Sequence, residues 1–164
     1  MATNSIIVKN YDNVFIEKTA GEEVYPGMIV LINSSDQIIK HNVEGGNVVP
    51  MVVYEDALQG KSVLQSYAAG DKVKVWIPQP GDVAQLLLED GQVVVVGDFV
   101  ESNGLGMVQK HTAESWGSAD AQVANTVYSR PIVGQVDEAQ DLSEISSDES
   151  SLSGNSQLIR VRFI

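Results

Sequence analysis

Hydrophobic and polar positions along this chain alternate mostly with a period of two. Lys72–Ile77 reads KVKVWI, with Val73, Val75 and Ile77 on one face and Lys72, Lys74 and Trp76 on the other. Successive side chains of a strand point to opposite sides, so this is the pattern of a half-buried strand. Asp82–Leu88 (DVAQLLL) and Val93–Val96 (VVVV) are more continuously apolar and are expected to be strands, the valines buried on both faces. Between them, Asp90-Gly91 has the signature of a hairpin turn. Further strands are expected at Ser5–Lys9, Val14–Lys18, Met28–Ile32, Gln37–His41, Val48–Val53, Met107–His111, Arg130–Gln135 and Leu158–Ile164. In the last of these Ile159, Val161 and Phe163 share one face and Arg160 and Arg162 the other. A sustained 3.6-residue period is missing; Glu55–Leu58 and Ala113–Trp116 have room for a turn or two of helix.

The strands are introduced by a recurring corner. It reads Pro26-Gly27-Met28, Gly70-Asp71-Lys72, Pro80-Gly81-Asp82 and Gly97-Asp98-Phe99. Proline presets φ for a first turn position, glycine allows positive φ, and aspartate bonds nearby backbone. Gly27, Gly70, Asp71, Gly81, Asp82, Gly91, Gly97 and Asp98 are therefore assigned structural turn roles. The expected fold is all-β: a small barrel or sandwich of short strands joined by tight Gly/Pro turns, with an N-terminal arm and an acidic Ser-rich loop. Residues 1–20 form the arm and first strands, and residues 21–164 a single β domain. Within it, Val136–Gln157 carries six acids between Asp137 and Glu149 and no base, the composition of a solvated, mobile insertion.

Composition narrows the function. The chain has 164 residues, enough for one domain with a core. It has no cysteine, which removes disulfides, thiolate metal sites and a thiol nucleophile. With 22 acidic against 10 basic residues the net charge is −12. Phosphate binding needs clustered Lys and Arg, so direct contact with nucleic acid is not expected. No apolar run reaches the roughly 18 residues of a membrane span, and the N-terminus lacks a signal-peptide pattern. Synthesis in the cytoplasm and no membrane partner are expected.

Candidate chemistry is sparse. His41 and His111, the two histidines, have no companion at metal-ligand spacing. His111, Ser115 and Asp120 share a polar loop without the G-x-S-x-G elbow of a hydrolase. Gly104 and Gly106 form a bare G-x-G with no helix after it to hold phosphate. The acids of Asp137–Glu149 lack calcium-loop spacing. No cofactor, metal or enzymatic activity is expected.

The ordered series Gly45-Gly46, Pro50, Glu55, Gly60-Lys61, Tyr67–Asp71, Pro80-Gly81-Asp82, Asp90-Gly91, Gly97-Asp98, Glu101-Ser102 and Gly104 resembles tailed-bacteriophage capsid decoration (head cement) proteins. TAGEEVYPGMIVLI before it and the ending QLIRVRFI after the acidic segment extend the likeness from about Gly21 onward. The resemblance implies a structural virion protein on the outer capsid surface that braces major capsid protein subunits, as a homo-oligomer with a trimer favoured. The acidity suits an outer face, since inward acids would repel packaged DNA. Met1–Tyr11 and Val136–Gln157 are the candidate reaching segments, with Ile6, Val8, Tyr11, Trp76 and Trp116 the candidate contact residues. An alternative from another class is a phage-displayed β module that binds host-surface carbohydrate, using Trp76, Tyr67 and Trp116 as an aromatic platform.

Overall fold

The computed structural model describes residues 5–112, 114–116, 125–127, 131–143 and 157–164. Its strands are β1 (Ile7–Lys9), β2 (Phe15–Ala20), β3 (Val30–Ile32), β4 (Gln37–Lys40), β5 (Val52–Val53), β6 (Lys72–Trp76), β7 (Val83–Leu87), β8 (Val93–Val94), β9 (Phe99–Ser102), β10 (Val108–Lys110), β11 (Glu114–Trp116), β12 (Asn125–Val127), β13 (Gly134–Val136), β14 (Gln140–Asp141) and β15 (Leu158–Phe163). A 3-10 turn lies at Ala57–Gln59. The chain is nearly all β, in a sandwich-like arrangement without a closed barrel.

One sheet has six strands in the order β1-β7-β15-β13-β9-β10, antiparallel throughout. The other has five, β3-β4-β2-β6-β5, antiparallel except between β2 and β4. Isolated bridges outside the named strands partly cover an edge of each sheet. Val30 N donates to Met51 O (3.0 Å) and Val53 N to Met28 O (2.9 Å), joining β3 to β5 across the ends of the five-stranded sheet. Glu89 N donates to Val108 O (2.8 Å), which ties β10 to the chain leaving β7. Covered edges offer fewer unpaired N–H and C=O groups to stray strands.

The two sheets share one apolar core. Trp76 of β6 meets Phe163 of β15 edge-on, with ring centroids 6.1 Å apart at 85°. All of β7 is buried, whereas β15 alternates, with Arg160 and Arg162 outside. Val73 and Val75 are buried as the alternation requires, but Trp76 is buried as well. The polar face of β6 ends at Lys74, because past it the six-stranded sheet supplies Phe163 as a lid.

The recurring corner is one turn built four times. Met28, Asp71, Asp82 and Asp98 each donate their N–H to the carbonyl three residues back, on Tyr25, Ala68, Gln79 and Val95, at 3.0–3.1 Å. The glycines in third position have φ of 87° to 96°, as a type II turn requires. Where the fourth residue is aspartate, its carboxylate accepts from the N–H of the first: Ala68 at 3.0 Å, Gln79 at 2.8 Å and Val95 at 2.9 Å. At the first corner Met28 Sδ occupies that place, 3.4 Å from Tyr25 N.

Four expectations are corrected here. Asp90-Gly91 is a turn, but not a hairpin between its flanking strands: β7 pairs with β1 and β15, and β8 with β14. The run Val93–Val96 is not a buried strand. Val94 alone is buried, since only Val93 and Val94 pair and the next two valines open the Gly97-Asp98 corner. The acidic segment is partly structured. Val136 belongs to the six-stranded sheet, β14 pairs with β8, and Leu142 is buried. Residues 144–156 of it lie outside the described residues. Glu114–Trp116 pairs as a strand with Asn125–Val127 rather than forming helix.

Candidate interaction surface

The N-terminal stretch is built into the body. Ile6 is fully buried. Its N–H donates to the buried Glu55 carboxylate (2.9 Å), and its carbonyl accepts from Gln85 N (2.8 Å). β1 then forms the outer strand of the six-stranded sheet. At its far end Tyr11 N donates to Asp82 Oδ1 (2.8 Å), while Asp82 Oδ2 closes its own corner on Gln79 N (2.8 Å). Two buried carboxylates thus bracket residues 6–11. Freeing the segment would take one main-chain donor from each, which is costly in a low-dielectric interior.

Of the five candidate contact residues, Ile6 and Trp76 are corrected to core: both have zero exposure, and contact with a partner would require opening the fold. Val8 and Tyr11 are exposed, with Lys9 Nζ 5.4 Å from the Tyr11 ring centre. The Trp116 side chain lies outside the described residues, as do Met1–Asn4 and Asp120. The aromatic platform is corrected in the same way. Tyr67 is fully buried, and its hydroxyl donates to Tyr54 O at 2.7 Å. Burial, with the charges of Asp56, Glu55 and Asp71 nearby, pushes the Tyr67 hydroxyl pKa well above its usual value.

The apolar surface missed in the sequence is the Gly97-Asp98 corner. Val93, Val95, Val96 and Phe99 are exposed by 45%, 53%, 65% and 36%. They form a short knob of four large apolar side chains within seven residues. The corner beneath it is held firmly. Asp98 caps Val95 N and pairs with Lys110 at 2.8 Å, and Gln135 Nε2 donates to Gly97 O at 3.0 Å. The Lys110 ammonium, then the Val95 N–H, hold the Asp98 carboxyl below its ordinary pKa. A signal was available: a Gly-Asp corner needs two residues before the glycine, and here those are Val95 and Val96.

The polar groups of β9 knit strands together. Glu101 Oε2 lies 2.6 Å from His111 Nδ1, and Glu101 Oε1 accepts from Gln109 Nε2 at 2.9 Å. Ser102 Oγ lies 2.7 Å from His41 Nδ1, while His41 Nε2 is 3.1 Å from Asn47 O. Ser102 and Glu101 are buried to within 1%, so this Ser–His contact ties β9 to the end of β4 and is shut away from substrate. Among the described residues no group of three or more His, Asp or Glu side chains is placed to hold a metal ion.

No protein-family model matches this chain, and no curated protein does. Among solved structures it is similar to the N base of the head fiber gp8.5 in bacteriophage phi29, with a TM-score of 0.52 and 14% identity. The likeness covers 93% of this chain and 95% of that one. At that identity it is a likeness of fold, running nearly end to end in both chains.

Proposed function

We propose that this protein is a structural component of a phage head, attached to the outer surface of the capsid shell, where it braces contacts between major capsid protein subunits. The observation that carries this reading is the fold shared over almost the whole chain with the base of a phage head fiber. The net charge of −12 supports an outward position, away from packaged DNA. The knob of Val93, Val95, Val96 and Phe99 is the proposed contact, because its side chains are apolar, exposed and fixed on a braced corner. Apolar surface removed from water is the main favourable term in most protein association. Repetition over a shell lets each contact be weak. The assembly is proposed to be a homotrimer, and the role non-enzymatic.

The test uses heads assembled without this protein. Purified chain added to them should bind to saturation and show as density outside the shell by electron cryomicroscopy. The double variant Val95→Asp, Val96→Asp should weaken uptake by at least about tenfold, since desolvating charge at an anchor costs more than the apolar contact supplies. Its melting temperature should stay unchanged, because both side chains are already in water. Failure of the native chain to bind heads would end the reading; full binding by the variant would remove the knob from it.

A further inference from the structure

The connection between β5 and β6, with Tyr25, borders an open surface depression of ≈ 440 Å³ that neither the core nor the apolar knob uses. Its walls include Tyr25, Gln59, Lys61, Leu64 and Gln65, with Gly60 between them. A Cβ built on Gly60 would meet no atom within 4 Å, so space beside that backbone is open.

Hydrogen bonds within the lining leave specific groups presented. Gln59 Nε2 donates to Asp56 Oδ2 at 2.8 Å. Only the amide nitrogen can donate to a carboxylate, so Gln59 Oε1 is left as an acceptor. Gln65 Oε1 accepts from Ser62 N at 2.9 Å. Only the amide oxygen can accept there, so the Gln65 NH₂ is left as a donor. Neither remaining amide group has a partner among the described residues. Asp56 also caps the 3-10 turn through Leu58 N (3.0 Å), which holds Gln59 in place.

Charge decides the ligand class. Lys61 Nζ donates to Ser66 O (2.8 Å) and pairs with Asp71 (3.1 Å), so its charge is compensated. At the rim, Glu23 accepts from Ser66 Oγ (2.7 Å) and Tyr25 Oη (3.4 Å) and would repel an anion. Tyr25 and Leu64 add apolar surface. A hollow with one fixed acceptor, one fixed donor, an aromatic wall and no uncompensated cation suits a neutral ligand with hydroxyls on its edge and C–H groups on its face.

We propose that this hollow binds a single neutral hexose unit of a glycan, with Gln59 Oε1 accepting from one hydroxyl, the Gln65 amide donating to another, and Tyr25 against the sugar face. The site is separate from the platform of Trp76 and Tyr67, which the core absorbs, and from the proposed capsid contact, which lies on the other sheet.

The test is a titration of the ¹⁵N-labelled full chain with glucose, galactose and N-acetylglucosamine, and in parallel with the neutral tripeptide Gly-Ser-Gly. At least one sugar should give saturable shifts of the amides of Tyr25 and Gln59–Ser66. Gln65→Leu, an exposed position, should keep the melting temperature and weaken that sugar by about tenfold, as loss of one hydrogen bond implies. No saturable shift there with any of the sugars, unchanged binding by Gln65→Leu, or binding of the tripeptide in their place would each overturn the proposal. Binding to heads is untouched by any of these outcomes.

Discussion

The buried carboxylate of Asp82 gives the sharpest test of how this fold is held. Asp82→Ala removes the acceptor for two main-chain N–H groups, Tyr11 and Gln79, both at 2.8 Å. Asp98→Ala removes the same capping bond from an equivalent turn, but there it serves one N–H, Val95, at the surface. Hydrogen bonds to charged groups contribute roughly 1.5–3 kcal/mol each, and a buried donor left unmet loses its solvation as well. Removing the buried charge itself offsets part of that. The expected loss for Asp82→Ala is about 3 kcal/mol. For Asp98→Ala, where water replaces the lost acceptor, it is about 1 kcal/mol, as for other caps. In a chain of this size each kcal/mol moves the melting temperature by roughly 2–4 °C, so the two variants should differ by roughly 4–8 °C. Thermal and urea unfolding followed by circular dichroism measures this. Amide exchange should also quicken at Ile7–Lys9 in Asp82→Ala alone, because that variant frees one end of β1. Equal losses in the two variants, or unchanged exchange in β1, would refute the argument that Asp82 clamps the N-terminal strand.

Three further predictions concern two glycines and the acidic corners. Gly134→Ala should be among the most damaging single changes, costing about 3 kcal/mol or more, since its Cβ would lie 2.4 Å from Arg162 O and 2.6 Å from Val161 Cγ1. Gly97→Ala, where nothing lies within 4 Å but φ is +96°, should cost roughly 1–2 kcal/mol from backbone strain alone; comparing unfolding midpoints checks both. Acid should weaken the fold through the corner carboxylates. Asp98 is held below its ordinary value of 3.8 by Lys110 and then the Val95 N–H, and Asp71 by Lys61 and then the Ala68 N–H. A depressed pKa contributes stability that is complete above the ordinary value and is lost as pH falls through the lower one in the fold. Urea midpoints should therefore drop below about pH 4, and the double variant Asp71→Asn, Asp98→Asn should flatten that drop; an equally steep drop in the variant would contradict it.

The sequence by itself determined the β class, the corners and most strand positions. All eight segments expected outside the central region overlap an observed strand, and six contain it whole, from β1 in Ser5–Lys9 to β15 in Leu158–Ile164. These features are legible because they are local. Alternation follows from the pleat, and a Gly-Asp corner needs positive φ and a carboxylate in reach of its own turn. The tertiary structure decided which apolar residues face water. Val95 and Val96 look like core in the chain, yet a turn carries them outward, while Trp76 and Ile6 look like surface anchors and are buried, Trp76 against Phe163 and Ile6 with its main chain bonded to Glu55 and Gln85. It also decided which strands pair: β7 skips its neighbour β8 and takes β15, more than 70 residues away in the chain. Pairing partners and exposure depend on what the rest of the chain places alongside, and a local pattern carries no information about that.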